Sequence, residues 1–141
     1  MTLGPSSPPL PAPDALTRPF WEACGRRALE VSACAACGHR FLPPGPCCPK
    51  CWSADLTARA VSGLGCVESF TVYRRTYHPG RPAPYVVALV ALDEGPRLVS
   101  NVVGCPPEAV EIGLRVRVRF EPAGGFVLPL FEPARAEEGG A

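Results

Sequence analysis

Side chains along this chain follow two rhythms. Between residues 14 and 28, Leu16, Phe20, Ala23, Cys24 and Arg27 recur at helical spacing, with Trp21 and Glu22 beside the stripe. Thr17 is a candidate N-cap and Pro19 is tolerated in a first turn, so a helix is predicted through about Arg27. Residues 29–32 alternate as a strand does. From residue 65 onward the period is two, in five apolar blocks bounded by Gly or Pro: 65–77, 85–92, 97–103, 115–121 and 126–131. The first places Phe70 and Val72 on one face. The second, Tyr-Val-Val-Ala-Leu-Val-Ala-Leu, is nearly continuous, as expected of a strand covered on both sides or curled into a small barrel. In the fourth, Val116, Val118 and Phe120 point inward and Arg115, Arg117 and Arg119 outward. Asp93-Glu94-Gly95-Pro96 is a turn joining the second and third blocks, and residues 106–111 have the prolines of one helical turn. Five strands with a short helix between the third and fourth predict an OB-fold barrel; a sandwich would need about seven strands.

Between helix and barrel lies a stretch with neither period. It holds two Cys-x-x-Cys pairs, Cys34/Cys37 and Cys48/Cys51, separated by ten residues. A Cys-x-x-Cys turn presents two thiolates from one knuckle, and two knuckles close a tetrahedral four-sulfur zinc site, the arrangement of a rubredoxin-like zinc ribbon. Gly38 allows the sharp turn after the first knuckle. Disulfides or buried free thiol pairs are the competing reading of the same residues. A catalytic zinc keeps one position open, whereas four Cys fill all four, so the expected metal is one structural zinc per chain. Cys47 is a spare with looser spacing.

The expected organisation is mainly β: a disordered Pro/Ser-rich arm at 1–13, a helix at 14–28, a zinc ribbon at 29–56, an OB-fold at 57–134 and a flexible tail at 135–141. Charged residues are only 19% and apolar ones 47% of the 141 residues, so a core is available, and the apolar excess hints at a surface covered by a partner. The net charge of +1 lacks the electrostatic footprint of a nucleic-acid binder. Neither a signal-peptide pattern nor an apolar run of membrane-spanning length is visible, so no membrane association is expected, and a cytoplasmic location is.

The motifs resemble the acyl-CoA-associated zinc-ribbon and OB-fold family, long catalogued as a domain of unknown function. The matching residues are Pro19-Phe20-Trp21-Glu22-Ala23, the two knuckles with Gly38 and Pro43-Pro44, Gly63-x-Gly65 leading to Ser69-Phe70-Thr71-Val72, Pro84-Tyr85-Val86-Val87-Ala88, Glu94-Gly95-Pro96-Arg97-Leu98, Asn101-x-Val103-Gly104, Ile112-Gly113 and Leu128-Pro129-x-Phe131. They cover about residues 15–134. Gly45, where Arg is expected, and the Cys47-Cys48 doublet depart from the pattern without touching the four ligand positions. The resemblance implies a non-catalytic scaffold that binds a thiolase-superfamily enzyme, either a thiolase or a thiolase-like aldolase of steroid side-chain degradation, with a hydratase sometimes attached. It also implies a coenzyme A thioester at the shared site.

No catalytic constellation is marked. His39 and His78 lack a nucleophile or an orienting carboxylate nearby, and Cys66 and Cys105 sit in apolar sequence where thiols are usually inert. Phe20 and Trp21 are candidates for core packing or for docking onto a partner. Arg74, Arg75, Arg115, Arg117 and Arg119 have three readings: a solvated strand face, contacts to coenzyme A phosphates or a partner's acidic residues, or contacts to nucleic acid. A single-stranded nucleic-acid binder is the alternative function, because zinc ribbons and OB barrels both recur there.

Overall fold

A computed structural model describes residues 9–135. Residues 1–8 of the expected arm and 136–141 of the expected tail lie outside the described residues. The chain runs α1 (Arg18–Gly25), β1 (Glu30–Cys34), β2 (Arg40–Phe41), β3 (Leu56–Ala60), β4 (Leu64–Tyr73), β5 (Tyr85–Leu92), β6 (Arg97–Val102), a 3-10 turn (Pro107–Ala109), β7 (Arg115–Ala123) and β8 (Phe126–Pro133).

The helix begins differently from expectation. Asp14, not Thr17, carries the cap: its Oδ1 accepts from the N–H groups of Leu16 (3.0 Å) and Thr17 (2.8 Å), and its carbonyl accepts from Arg18 N. Thr17 Oγ1 returns a bond by accepting from Asp14 N at 3.0 Å. The pair is a reciprocal capping box with Thr in the place usually held by Glu or Gln. Short as it is, the helix has a core to enter. Ala23 and Cys24 are fully buried, Phe20 packs on the main core, and Trp21 meets Phe126 of β8 edge-on at 6.4 Å. The helix bridges the ribbon and the barrel.

The ribbon sheet has the order β2-β1-β3, antiparallel throughout. The edge strand β3 has mostly exposed side chains on both faces, so no alternation in the sequence announces it.

The second sheet closes into a barrel in the order β4-β5-β6-β8-β7. Its core follows the pleat. In β5 every second residue, Val86, Ala88, Val90 and Leu92, is buried, and these pack with Val67, Val102, Val116 and Phe131. Leu29 and Val31 of the ribbon enter the same core. Fully burying a side chain such as Phe131 contributes about 2–3 kcal/mol, so the ribbon and barrel share their main source of stability.

Two departures from regularity shape the barrel. A β-bulge between Val67 and Ser69 inserts Glu68, so the positions of β4 paired with buried residues of β5 pass from Val67 to Phe70 and Val72, of which Val72 packs on the core and Phe70 is exposed. The strand ends at Tyr73, short of residue 77, because the following loop leaves the sheet. On the far side, β6 and β8 meet in parallel through the single pair Val102↔Phe131, supported by Ser100 Oγ donating to the Pro129 carbonyl at 2.7 Å.

Candidate functional site

The four ribbon cysteines are brought together by two turns of matching construction. In the first, Cys34 N donates to the His39 carbonyl and Gly38 N to the Cys34 carbonyl; in the second, Cys48 N donates to Ser53 O and Trp52 N to Cys48 O. Each turn thus aims both of its thiols at the other knuckle. Cys34 and Cys51 Sγ are 3.5 Å apart, Cys37 and Cys48 Sγ 3.6 Å, and all four sulfur atoms lie within 4.8 Å of one another. A tetrahedral zinc with bonds of about 2.3 Å has sulfur–sulfur edges of about 3.8 Å, so the donor set fits the ion.

The electrostatics agree with that fit. The backbone N–H groups of Cys37 and Ala36 and the facing Cys51 thiol lower Cys34 to about 7 against its desolvation. Cys48 is lowered against the desolvation of its site, by the N–H groups of Cys51 and Lys50; Lys50 N lies 3.4 Å from its sulfur. Cys51 moves the other way, to about 12: the Ser53 N–H favours its thiolate, but the crowding thiols of Cys34, Cys37 and Cys48 outweigh that. Four thiols this close cannot all ionise without a cation among them, and a divalent metal supplies that charge. Cys47 stands outside the cluster, half-buried.

The remaining candidate groups are held in packing or pairing. His39 stacks on Phe41 at 5.9 Å. His78 Nδ1 accepts from Gly80 N at 2.9 Å, which fixes the ring inside its own loop. Burial and the nearby Glu30 push the Cys24 thiol up to about 11, and burial also raises that of Cys105. Of the arginine row, Arg115 forks onto Asp93 with two bonds of 2.8 Å, Arg117 pairs with Glu132 at 2.8 Å, and Arg119 reaches Glu121 and Glu132. Those three cations already face carboxylates. Arg74 and Arg75, in contrast, project from the loop after β4.

An apolar groove of about 780 Å³ opens where α1, the ribbon loop and the outer face of β5–β6 meet. Phe20 and Trp21 line it from α1, Leu42, Pro43 and Pro44 from the ribbon loop, and Leu89, Val99 and Asn101 from the sheet that forms its floor, with Arg81 also in the lining. Val99 is 66% exposed there. Residues 9–11 of the expected arm lie along its edge.

Comparison with known proteins gives this geometry its family. Residues 21–57 match the ChsH2 rubredoxin-like zinc ribbon domain, and residues 58–121 the ChsH2 C-terminal OB-fold domain. A DUF35 domain-containing scaffold protein of Methanothermobacter thermautotrophicus is 38% identical over 97 residues, covering 67% of this chain and 73% of that one. A probable enoyl-CoA hydratase alpha subunit of Thermomonospora curvata is 46% identical over 121 residues, 84% of this chain. This chain spans only 38% of that subunit's length. The solved structure titled Ltp2-ChsH2(DUF35) aldolase contains a chain superposing with a TM-score of 0.84 at 42% identity, over 89% of this chain and all of that one. The four clustered cysteines are accordingly those of a rubredoxin-like ribbon suited to one structural zinc. The chain belongs to the DUF35 family, in the form that joins a ChsH2-type zinc ribbon to an OB-fold barrel.

Proposed function

We propose that the chain is a non-catalytic, zinc-binding scaffold subunit that docks on a thiolase-superfamily enzyme, a thiolase or a thiolase-like aldolase, and supports its binding or channelling of acyl-CoA. The observation that carries this is the apolar groove between helix, ribbon and barrel, an exposed feature of the size and character that mark interaction sites. The names of the relatives support it: one is a scaffold protein, one a hydratase subunit, and one belongs to an aldolase complex. A structural zinc suits such a role, because it fixes the shape of the ribbon wall without adding reactivity. In this reading Phe20 and Trp21 present their free faces to the partner, Cys34, Cys37, Cys48 and Cys51 hold the metal, and the reacting groups belong to the enzyme.

The test is retention of a thiolase-superfamily enzyme by the tagged chain in the organism that makes it. Val99→Glu places a charge in the groove at an exposed position and leaves folding untouched. It is expected to weaken retention by about tenfold, the scale of a buried anchor in an interface. Phe20→Ala/Trp21→Ala is expected to do the same with zinc content unchanged, and unfolding curves separate lost docking from the lost Trp21–Phe126 contact. Wild-type chain that retains no such enzyme, or variants that retain it fully, would defeat the reading.

A further inference from the structure

Three tyrosines and two arginines of residues 73–85 come together at the barrel rim, and one of them, Arg81, also lines the groove. Tyr73 ends β4 and Tyr85 begins β5, directly opposite in register, and their rings stack at 4.9 Å. Tyr77 meets Tyr73 edge-on at 5.9 Å. The Arg75 guanidinium lies 5.6 Å from the Tyr77 ring centre and that of Arg81 5.9 Å from Tyr85. Arg81 also donates to Asn101 Oδ1 at 3.0 Å, which joins the cluster to the groove floor.

The loop carrying these side chains is braced from within. Ala83 N donates to Thr76 Oγ1, Gly80 N to His78 Nδ1, and Arg81 N to the His78 carbonyl. Tyr77 is nonetheless 68% exposed. A braced loop that shows a large aromatic side chain to water has settled its own ordering cost before any partner arrives, which favours tight binding.

Charge identifies the partner's side. Residues 73–85 contain Arg74, Arg75 and Arg81 and no acidic residue. Elsewhere on the barrel Arg97, Arg115, Arg117 and Arg119 each meet a carboxylate, whereas among the described residues none pairs with Arg74, Arg75 or Arg81. The loop is a cationic surface left open in a chain of net charge only +1. A nucleobase would need a free ring face or a slot between rings. Here Tyr73 and Tyr85 stack on each other and the Arg75 guanidinium covers one face of Tyr77, and the polar groups the loop adds are phenol hydroxyls and Arg forks. Those groups suit carboxylates on a folded protein surface.

We infer that the 74–84 loop, with Tyr73 and Tyr85 behind it, is a preorganised docking element for an acidic patch on the partner protein, continuous with the apolar groove through Arg81. This rests on the proposed scaffold role and adds the charge of the surface being recognised.

The experiment titrates wild-type chain, Arg74→Glu/Arg75→Glu, Tyr77→Ala and Val99→Glu against the thiolase-superfamily enzyme that the wild-type chain retains, identified and purified, at low and high salt. Wild-type affinity is expected to fall with salt. The double charge reversal is expected to lose about tenfold or more at low salt and to flatten that dependence, Tyr77→Ala to lose affinity with the salt dependence kept, and Val99→Glu to weaken binding without changing the slope. Full affinity in Arg74→Glu/Arg75→Glu alongside a loss in Val99→Glu overturns the loop assignment and leaves the scaffold role standing. A wild-type chain that binds no such enzyme overturns both. Salt-sensitive binding of a labelled single-stranded oligonucleotide, lost in the charge reversal while enzyme binding is kept, assigns the loop to nucleic acid instead and overturns the inference.

Discussion

Trp52 stands in the second metal knuckle where Gly38 stands in the first. Both follow the last cysteine of their turn, both donate a backbone N–H to the carbonyl of its first cysteine at 2.8 Å, and both are left-handed, with φ of 79° at Gly38 and 69° at Trp52. Glycine adopts that conformation freely, whereas a side chain crowds the neighbouring carbonyl at a cost of roughly 1–2 kcal/mol. Trp52 is 79% exposed, so little packing offsets the strain. Trp52→Gly is therefore expected to raise the melting temperature of the zinc-loaded chain, by a stabilisation of about 1 kcal/mol. A lower melting temperature would show that the indole makes a contact worth more than the strain.

The two members of the Cys47-Cys48 doublet separate cleanly. Cys48 is in the thiol cluster and Cys47 is not. Cys48→Ser is expected to lose zinc and with it the ribbon's fold, because binding and folding of such sites are one equilibrium. Cys47→Ser should keep one zinc per chain by metal analysis and an unchanged circular dichroism spectrum. Equal losses in both variants would refute the assignment of ligands.

Gly65 is a site where the barrel tolerates no side chain. A Cβ there would sit 2.5 Å from the Ala91 carbonyl oxygen on the paired strand. Backbone cannot swing aside as a flexible side chain can. Gly65→Ala is expected to cost about 2 kcal/mol in denaturant unfolding, within the range of overpacked positions. A change under about 0.5 kcal/mol would mean that β4 and β5 part more easily than their register implies.

The Asp93–Arg115 fork gives stability a pH dependence of known sign. Hydrogen bonding from Arg115 holds the Asp93 carboxyl below its ordinary value. Its folded pKa lies under the unfolded one, so the contribution is complete above the unfolded value of about 3.9 and fades as pH falls through the folded value. The side chains are 33% and 40% exposed, which keeps the effect under about 1 kcal/mol. The gap in melting temperature between wild type and Asp93→Asn should be open at neutral pH and close in strong acid. A gap constant with pH would assign the effect to shape rather than charge.

What the sequence makes legible is local. The knuckles are fixed by spacing, β7 by its alternation and β5 by its nearly continuous apolar run, although which of its residues enter the core (Val86, Ala88, Val90 and Leu92) is set by the barrel. The bulge at Glu68 leaves a trace, since Val67 and Phe70, whose partners Val90 and Ala88 are successive buried positions of β5, are three apart where a regular strand would space them by two. What escapes depends on distant partners. Asp93, Glu121 and Glu132 turn the arginine row from a solvated face into paired charges, and nothing in their spacing declares it. Phe126 gives α1 a core about a hundred residues further along the chain, and Tyr73, Tyr77 and Tyr85 become a cluster only once β4 and β5 pair. Thr17 has a cap's side chain but already takes helical dihedrals and makes no cap bond of its own, because Asp14 three residues earlier supplies the acceptor and leaves Thr17 the returning bond.

The contact of α1 with β8 bears on how the chain is made. Ribosomes deliver Phe20 and Trp21 about a hundred residues before Phe126, so the helix emerges well before the strand that covers it. During that interval the ribbon is able to gather its thiols around zinc, but the barrel core lacks Phe131 and cannot close. The amphipathic helix is then an exposed apolar segment of the kind that chaperones recognise and that promotes aggregation. Productive assembly with a partner must therefore wait for β8, since Phe20 and Trp21, which line the groove, take their final position only when that strand has paired.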